Sequence, residues 1–237
     1  MDLSRRLQAV ANLLSEGLIV ADIGTDHGYI PIYLIESGKS PKAFAMDINK
    51  GPLIRAKEHV EMHGLQEQIV LRQSDGVKAL EVGECESVNV AGMGGALAIK
   101  IMEEGKEIFK SLKEFVLQPQ SELEKVRQYL CENEYRIIAE DMVLEDGKYY
   151  PMMKIVNGTV ENYSPIELRY GKKLLEGKNP VLKLFLEKEV QAKTQIVENL
   201  EREQGEHIRK RVSEIQMELA YIKEALSVYD SEELDAL

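Results

Sequence analysis

Cysteine is scarce in this chain of 237 residues: there are two, Cys85 and Cys131. So few, so far apart, exclude a disulfide scaffold and a cysteine-based zinc module, and suit a reducing compartment. Long apolar runs are missing too. No window holds 18 uncharged apolar residues, which excludes a helical membrane span. The opening Met-Asp-Leu-Ser-Arg-Arg carries charge where a secretory leader needs an apolar stretch, so a cytoplasmic location is expected. Seventeen glycines and seven prolines are ordinary usage, and 44% of residues are apolar, which excludes collagen-like or wholly disordered chains. Positive charge is in deficit: 30 Lys and Arg face 41 Asp and Glu, a net charge of −11. An acidic surface repels nucleic acid, so any such partner requires a local basic patch. The length fits one large domain with an appendage.

The first 156 residues alternate short apolar runs with amphipathic stretches. Leu18–Ala21, Ala43–Met46, Ile69–Leu71, Val88–Ala91 and Phe115–Leu117 have strand length. Between them lie helical patterns near Tyr29–Ser37, Pro52–His63, Ala96–Phe109 and Glu122–Cys131, and another precedes them from Leu3 to Ser15. Ser121 with Glu124 reads as a capping box for the last of the four. This alternation implies a parallel sheet with helices on both faces. Tyr135–Leu144 and Tyr149–Val156 flank an Asp-Gly turn, which adds an antiparallel hairpin. Seven strands are expected.

From residue 157 the pattern becomes helical. Ile208, Val212, Ile215, Leu219, Ile222 and Leu226 form a heptad seam. Leu186, Val190, Val197 and Leu200 form a looser one, with Lys193 at a seam position. Two helices folding back at Gly205 make a coiled-coil hairpin about 30 Å long; a continuous dimeric coil is the competing arrangement. The segment 157–228 carries 12 basic and 12 acidic residues, against 18 and 25 in 1–156.

The densest chemical signal is Asp22-Ile-Gly-Thr-Asp-His-Gly-Tyr-Ile-Pro31, where the first strand meets its helix. Gly24 and Gly28 allow a tight turn and close approach of a ligand. Asp26 and His27 break the dinucleotide fingerprint, and the carboxylates oppose a pyrophosphate while suiting a cationic ligand. S-adenosylmethionine fits, with a sulfonium, an ammonium and no phosphate. Asp47 ends the second strand, where a carboxylate accepts ribose hydroxyls. Asp75 and Gly76 follow the third strand, and Asp75 can accept from an adenine amino group. Ala91-Gly92-Met93-Gly94-Gly95 follows the fourth and offers open space and backbone groups; a tight helix start packed on the sheet is the plainer reading. Gln118-Pro119-Gln120 either lines an acceptor pocket with amides or ends a strand. His59 and His63 stand one helical turn apart without a third metal ligand, so no metal site is expected and both read as surface residues.

These residues, with the opening Leu3-Ser4-x-Arg6-Leu7, make the chain resemble the TrmK family of bacterial tRNA adenine-N1 methyltransferases, which act at tRNA position 22. The resemblance runs over nearly the whole chain. It implies a Rossmann-like methyltransferase domain (1–156) using S-adenosylmethionine and a helical coiled-coil domain (157–237). By the resemblance, Asp22, Gly24, Asp26, His27 and Gly28 border the methionine part of the cofactor, beside Ala91 and Gly92. Asp47 and Ile48 hold the ribose, and Asp75 and Gly76 the adenine. Tyr29, Met93, Gly94 and Gly95 face the target base, with Tyr29 stacking on it and Asp26 stabilising charge on the methylated ring. Cationic contact to tRNA is sought at Arg5, Arg6, Lys172, Lys173, Lys178 and Arg209-Lys210-Arg211. A monomer is expected, with neither DNA nor a membrane as partner. A small-molecule methyltransferase and a non-catalytic interaction protein are the alternatives.

Overall fold

A computed structural model describes residues 1–202 and 205–230. Helix α1 (Arg5–Leu13) starts where Ser4 Oγ accepts from Leu7 N, and it buries Ala9, Val10 and Ala11. It is followed by β1 (Val20–Ile23), α2 (Tyr29–Glu36), β2 (Ala43–Asp47), α3 (Lys50–Met62), β3 (Ile69–Gln73) and β4 (Ser87–Met93). Then come α4 (Gly95–Glu104), α5 (Lys106–Ser111), β5 (Glu114–Pro119), α6 (Leu123–Glu132), β6 (Tyr135–Glu145) and β7 (Lys148–Asn157). The expected long helix from Ala96 breaks at Gly105, which leaves helical geometry (φ −105°, ψ 23°) and where a side chain would collide with Val77. The expected capping box at Ser121 is absent: Glu122 occupies the cap in a left-handed conformation, and Ser121 Oγ accepts from Gly95 N instead.

The seven strands pair in the order β3-β2-β1-β4-β5-β7-β6. The first five are parallel, while β7 runs antiparallel between β5 and β6. Strand order reverses between β1 and β4. Right-handed crossovers therefore send α2 and α3 to one face and α4 to α6 to the other. Strands covered on both faces read as continuous apolar runs, which is why β1, β2, β4 and β5 were visible as such. One core cluster joins α1, α2, β5 and β7 through Val10, Leu14, Ile30, Leu34, Val116 and Met152. Another joins α2, β2, α3 and β3 through Ile32, Ala45, Val60 and Ile69.

The chain divides into two compact units, Met1–Glu161 and Asn162–Leu237. The second contains α7 (Pro165–Tyr170), α8 (Lys172–Glu176), α9 (Pro180–Leu200) and α10 (Glu206–Asp230). A capping box stands here, at Ser164 and Glu167. Helices α9 and α10 pair antiparallel within one chain: Lys193 Nζ donates to Glu218 at 2.6 Å, and Tyr229 OH donates to the Asn179 carbonyl at 2.9 Å. Ile208, Ile215, Leu219 and Ile222 are buried in that seam. A continuous dimeric coil is therefore not what these helices form. The polar seam residue Lys193 is matched by Glu218 and Glu189.

Candidate functional site

Asp22 is a carboxylate inside a buried strand, 7% exposed, and its ladder partner on β4 is Asn89. Asn89 Nδ2 donates to Asp22 Oδ1 at 2.6 Å. Burial pushes the Asp22 carboxyl above its usual range, and donation from Asn89 pulls it part of the way back. Asn89, a buried amide in an apolar run, had no role in the sequence reading; its signal was a polar residue at a strand position covered on both faces.

Past Ile23 the chain turns at Gly24, whose φ of 76° and closeness to the Met93 thioether methyl leave no room for a side chain. His27 holds a left-handed conformation at φ 62°. Its ring stacks on Tyr29, centroids 5.2 Å apart and 6° from parallel. His59, on α3, tilts against both rings and donates from Nδ1 to the His27 carbonyl at 3.0 Å. His59 is thus a half-buried member of an aromatic cluster, not the surface residue expected. His63 is half-buried as well, its Nδ1 2.6 Å from Glu36. Asp26 is exposed and paired to Arg55, whose Nη2 donates to Oδ1 at 2.6 Å.

A cavity of 310 Å³ opens beyond the carboxyl ends of β1 and β4, at the reversal of strand order. Asp22, Gly24, Asp26, Tyr29, Ala91 and Gly92 line it, joined by Arg6, Leu7, Ile30 and Gln120. Crevices at this point are where doubly wound sheets hold their ligands. Gln120 therefore faces the pocket, while Gln118 is fully buried and accepts from Arg6 Nη1 at 3.0 Å.

The other expected residues sort differently. Asp47 and the exposed Ile48 sit at the end of β2; one Asp47 oxygen accepts from Asn49 N at 2.7 Å. The Asp75 carboxyl is held by Lys78, which lowers its pKa, and Lys78 also reaches Glu104 at 2.8 Å. Gly28 approaches Ala56 of α3, and Gly76 approaches Ile101 of α4, so both glycines serve helix packing. Gly94 caps α4, and Gly95 is buried where any side chain would strike the Ser121 carbonyl. Gly95 thus forms part of a tight helix start.

Of the expected tRNA contacts, Arg5 is exposed, but Arg6 is half-buried in the cavity wall. In the second unit, Lys172 lies over the Tyr163 ring, Lys173 pairs with Glu176, and Arg211 pairs with Glu214. Arg209 and Lys210 are exposed. No helix among the described residues is long and apolar enough to cross a membrane.

The chain matches the methyltransferase-domain family over residues 3–153. It is 39% identical over 153 residues to the tRNA (adenine(22)-N(1))-methyltransferase of Bacillus subtilis, covering 65% of this chain and 64% of that relative. The match thus spans slightly less than two thirds of the relative's length. The crystal structure of the B. subtilis m1A22 tRNA methyltransferase TrmK superposes with a TM-score of 0.83 at 32% identity, covering 95% of this chain and 99% of that one. A Streptococcus pneumoniae homologue, Sp1610, solved in complex with S-adenosyl-L-methionine, gives 0.82 at 32% identity over 95% of this chain and all of its own. An acidic cavity at the strand reversal, on a sheet ordered 3-2-1-4-5-7-6, and matches over nearly the whole chain place this protein in the TrmK family of methyltransferases.

Proposed function

We propose that this protein transfers a methyl group from S-adenosylmethionine to N1 of the adenosine at position 22 of tRNA. The observation that carries the reading is the cavity itself, with Asp22 and Asp26 on its wall, an aromatic ring beside them, and a glycine turn that exposes backbone. The donor set fits this cofactor. Buried and exposed carboxylates suit an ammonium and a sulfonium, the Asp47 carboxylate suits ribose hydroxyls, and the Ile48 side chain offers an apolar surface to a purine. When bound, the cofactor supplies an electrophilic methyl group.

The chain's own work is alignment. Adenine N1 carries an in-plane lone pair and no proton, so no general base is required. Tyr29, backed by the parallel His27 ring, offers a fixed face on which a base stacks. Holding the nucleophile within about 3–3.5 Å of the methyl carbon supplies much of the acceleration. N1 lies on the pairing edge, so the base must leave its stack, costing a few kcal/mol that stacking on Tyr29 offsets. Asp26, moderated by Arg55, places negative charge near the ring that becomes cationic. The seam of α9 and α10 is closed within one chain, which supports a monomer, and the protein acts in the cytoplasm.

The test uses labelled S-adenosylmethionine and unmodified tRNA transcripts with adenosine or guanosine at position 22. Transfer to the adenosine transcript alone, with a primer-extension stop at that base, is expected. Equal labelling of both transcripts, or label on a free metabolite, overturns the assignment.

A further inference from the structure

Three consecutive residues of the turn between β1 and α2 are each met by a different residue of α3. Arg55 Nε and Nη2 donate to Asp26 Oδ1, at 3.2 and 2.6 Å. His59 Nδ1 donates to the His27 carbonyl at 3.0 Å. Ala56 abuts Gly28, where a side-chain carbon would lie 3.4 Å from the alanine methyl. On a helix, Arg55 and His59 stand at i and i+4 and Ala56 and His59 at i and i+3, so the three share one face. Asp26 and Tyr29, at the two ends of this grip, line the cavity, whereas His59 itself stands outside the cavity wall. We infer that His59 is a positioning residue for methyl transfer, fixing the plane of Tyr29 through the backbone and ring of His27; the inference rests on the tRNA methyltransferase reading above.

The backbone calls for such a grip. His27 holds φ 62° and Gly28 φ 70°, two left-handed residues in succession. Glycine adopts that conformation freely, but a histidine keeps it only where its surroundings enforce it. Four positions after His27, where a helix would supply an N–H to its carbonyl, stands Pro31, which has none. His59 supplies a donor from the neighbouring helix instead.

The rings follow the backbone. His27 and Tyr29 stack nearly parallel, and His59 closes the group with centroids 5.2 and 5.5 Å from theirs, tilted by 32° and 33°. A tyrosine held against two rings has little room to swing, which is what a face that keeps a base in line requires. One side chain thus combines a donor for the turn with a ring for the stack. A carbonyl only accepts, so Nδ1 carries the proton. Asparagine places an amide N–H where Nδ1 stands, and phenylalanine keeps the ring without the donor, so the two substitutions separate the contributions. The strained turn makes the donor the decisive one.

The experiment measures single-turnover methylation of the adenosine-22 transcript by the full chain, with S-adenosylmethionine affinity read by calorimetry. His59→Ala is expected to slow transfer by about 10–100-fold while cofactor affinity stays within about twofold, the pattern of a misaligned acceptor. His59→Asn restores the donor and brings the rate to within about fivefold of wild type, whereas His59→Phe stays with the alanine variant. His63→Ala, one turn further along α3 and paired with Glu36, leaves the rate unchanged. A His59→Ala protein that transfers at the wild-type rate overturns the inference. So does a parallel loss of cofactor affinity, which marks general support of the fold. If the alanine variant does not fold, the other two decide: equal rates for His59→Asn and His59→Phe overturn it. These failures leave the tRNA reading standing. A wild type that methylates neither transcript sinks that reading, and this inference with it.

Discussion

Asp22 shows how a single residue trades stability for binding. Burial raises its pKa, so the native state holds that proton more tightly than the unfolded chain does. The group therefore costs stability as pH rises through and above the carboxylate range. Asp22→Asn should raise the melting temperature of the ligand-free protein at pH 7 and weaken binding of S-adenosylmethionine by tenfold or more, read by thermal unfolding and calorimetry. A variant that binds as tightly as wild type would remove Asp22 from the site. Glu84 behaves in the opposite sense. Hydrogen bonding to Arg72 holds its carboxyl down to about 2, so the pair's contribution is present above pH 4.5 and fades as pH falls from there towards 2. Glu84→Gln should flatten the acid limb of the stability profile over that window. At this scale the sequence was readable where chemistry is local: Asp22, Gly24, Asp26 and Tyr29 share one short segment. It was silent on Arg55 and Asn89 and misplaced His59 on the surface, because their partners lie 29, 67 and 32 positions away.

Among the elements, β6 is the instructive one. Its inward residues are Tyr135 and Ile137 at first, then Met142. The phase changes because the register with β7 shifts between Ile137 and Ala139, which leaves Ile138 outside the pairing and 39% exposed. Beyond that bulge the Glu140 side chain is buried, its oxygen 2.9 Å from both Arg127 Nε and Nη2. Strict alternation in the sequence cannot show this, since one extra residue reverses every inward position after it. Removing one member of a buried pair leaves a buried charge less compensated, so Glu140→Ala should cost about 3–5 kcal/mol in denaturant unfolding, without altering the cavity residues. The parallel strands were legible for the contrary reason: covered on both faces, they need no phase at all. Helices α7 and α8 escaped notice because five or six residues are too few to display a helical period.

For the whole molecule the question is how an acidic protein would engage the polyanion proposed as its substrate. The first unit, residues 1–161, carries 18 basic and 26 acidic side chains, and the second, 162–237, carries 12 and 15. The second unit is the less repulsive one, and Arg209 and Lys210 are exposed on it. A chain ending at Glu161 should therefore keep S-adenosylmethionine affinity within about twofold and lose methylation of tRNA, checked by calorimetry and primer extension. Full activity in that fragment would refute a tRNA-binding role for the helical unit. The change in periodicity falls near residue 157, and the first compact unit runs on to Glu161.

The pinning of Arg6 by Gln118, Glu145 and Tyr150 has a consequence in time as well as space. The cavity wall begins with the sixth residue and is braced by a hairpin whose inner strand ends at Asn157. A nascent chain on the ribosome therefore has no finished pocket until that hairpin emerges and inserts beside β5. In the mature protein the same geometry runs backwards: a ligand filling the cavity steadies the wall that Arg6 ties to the hairpin. Amide exchange along β6 and β7 should slow when S-adenosylmethionine binds, although their residues lie more than a hundred positions from the first cavity residue.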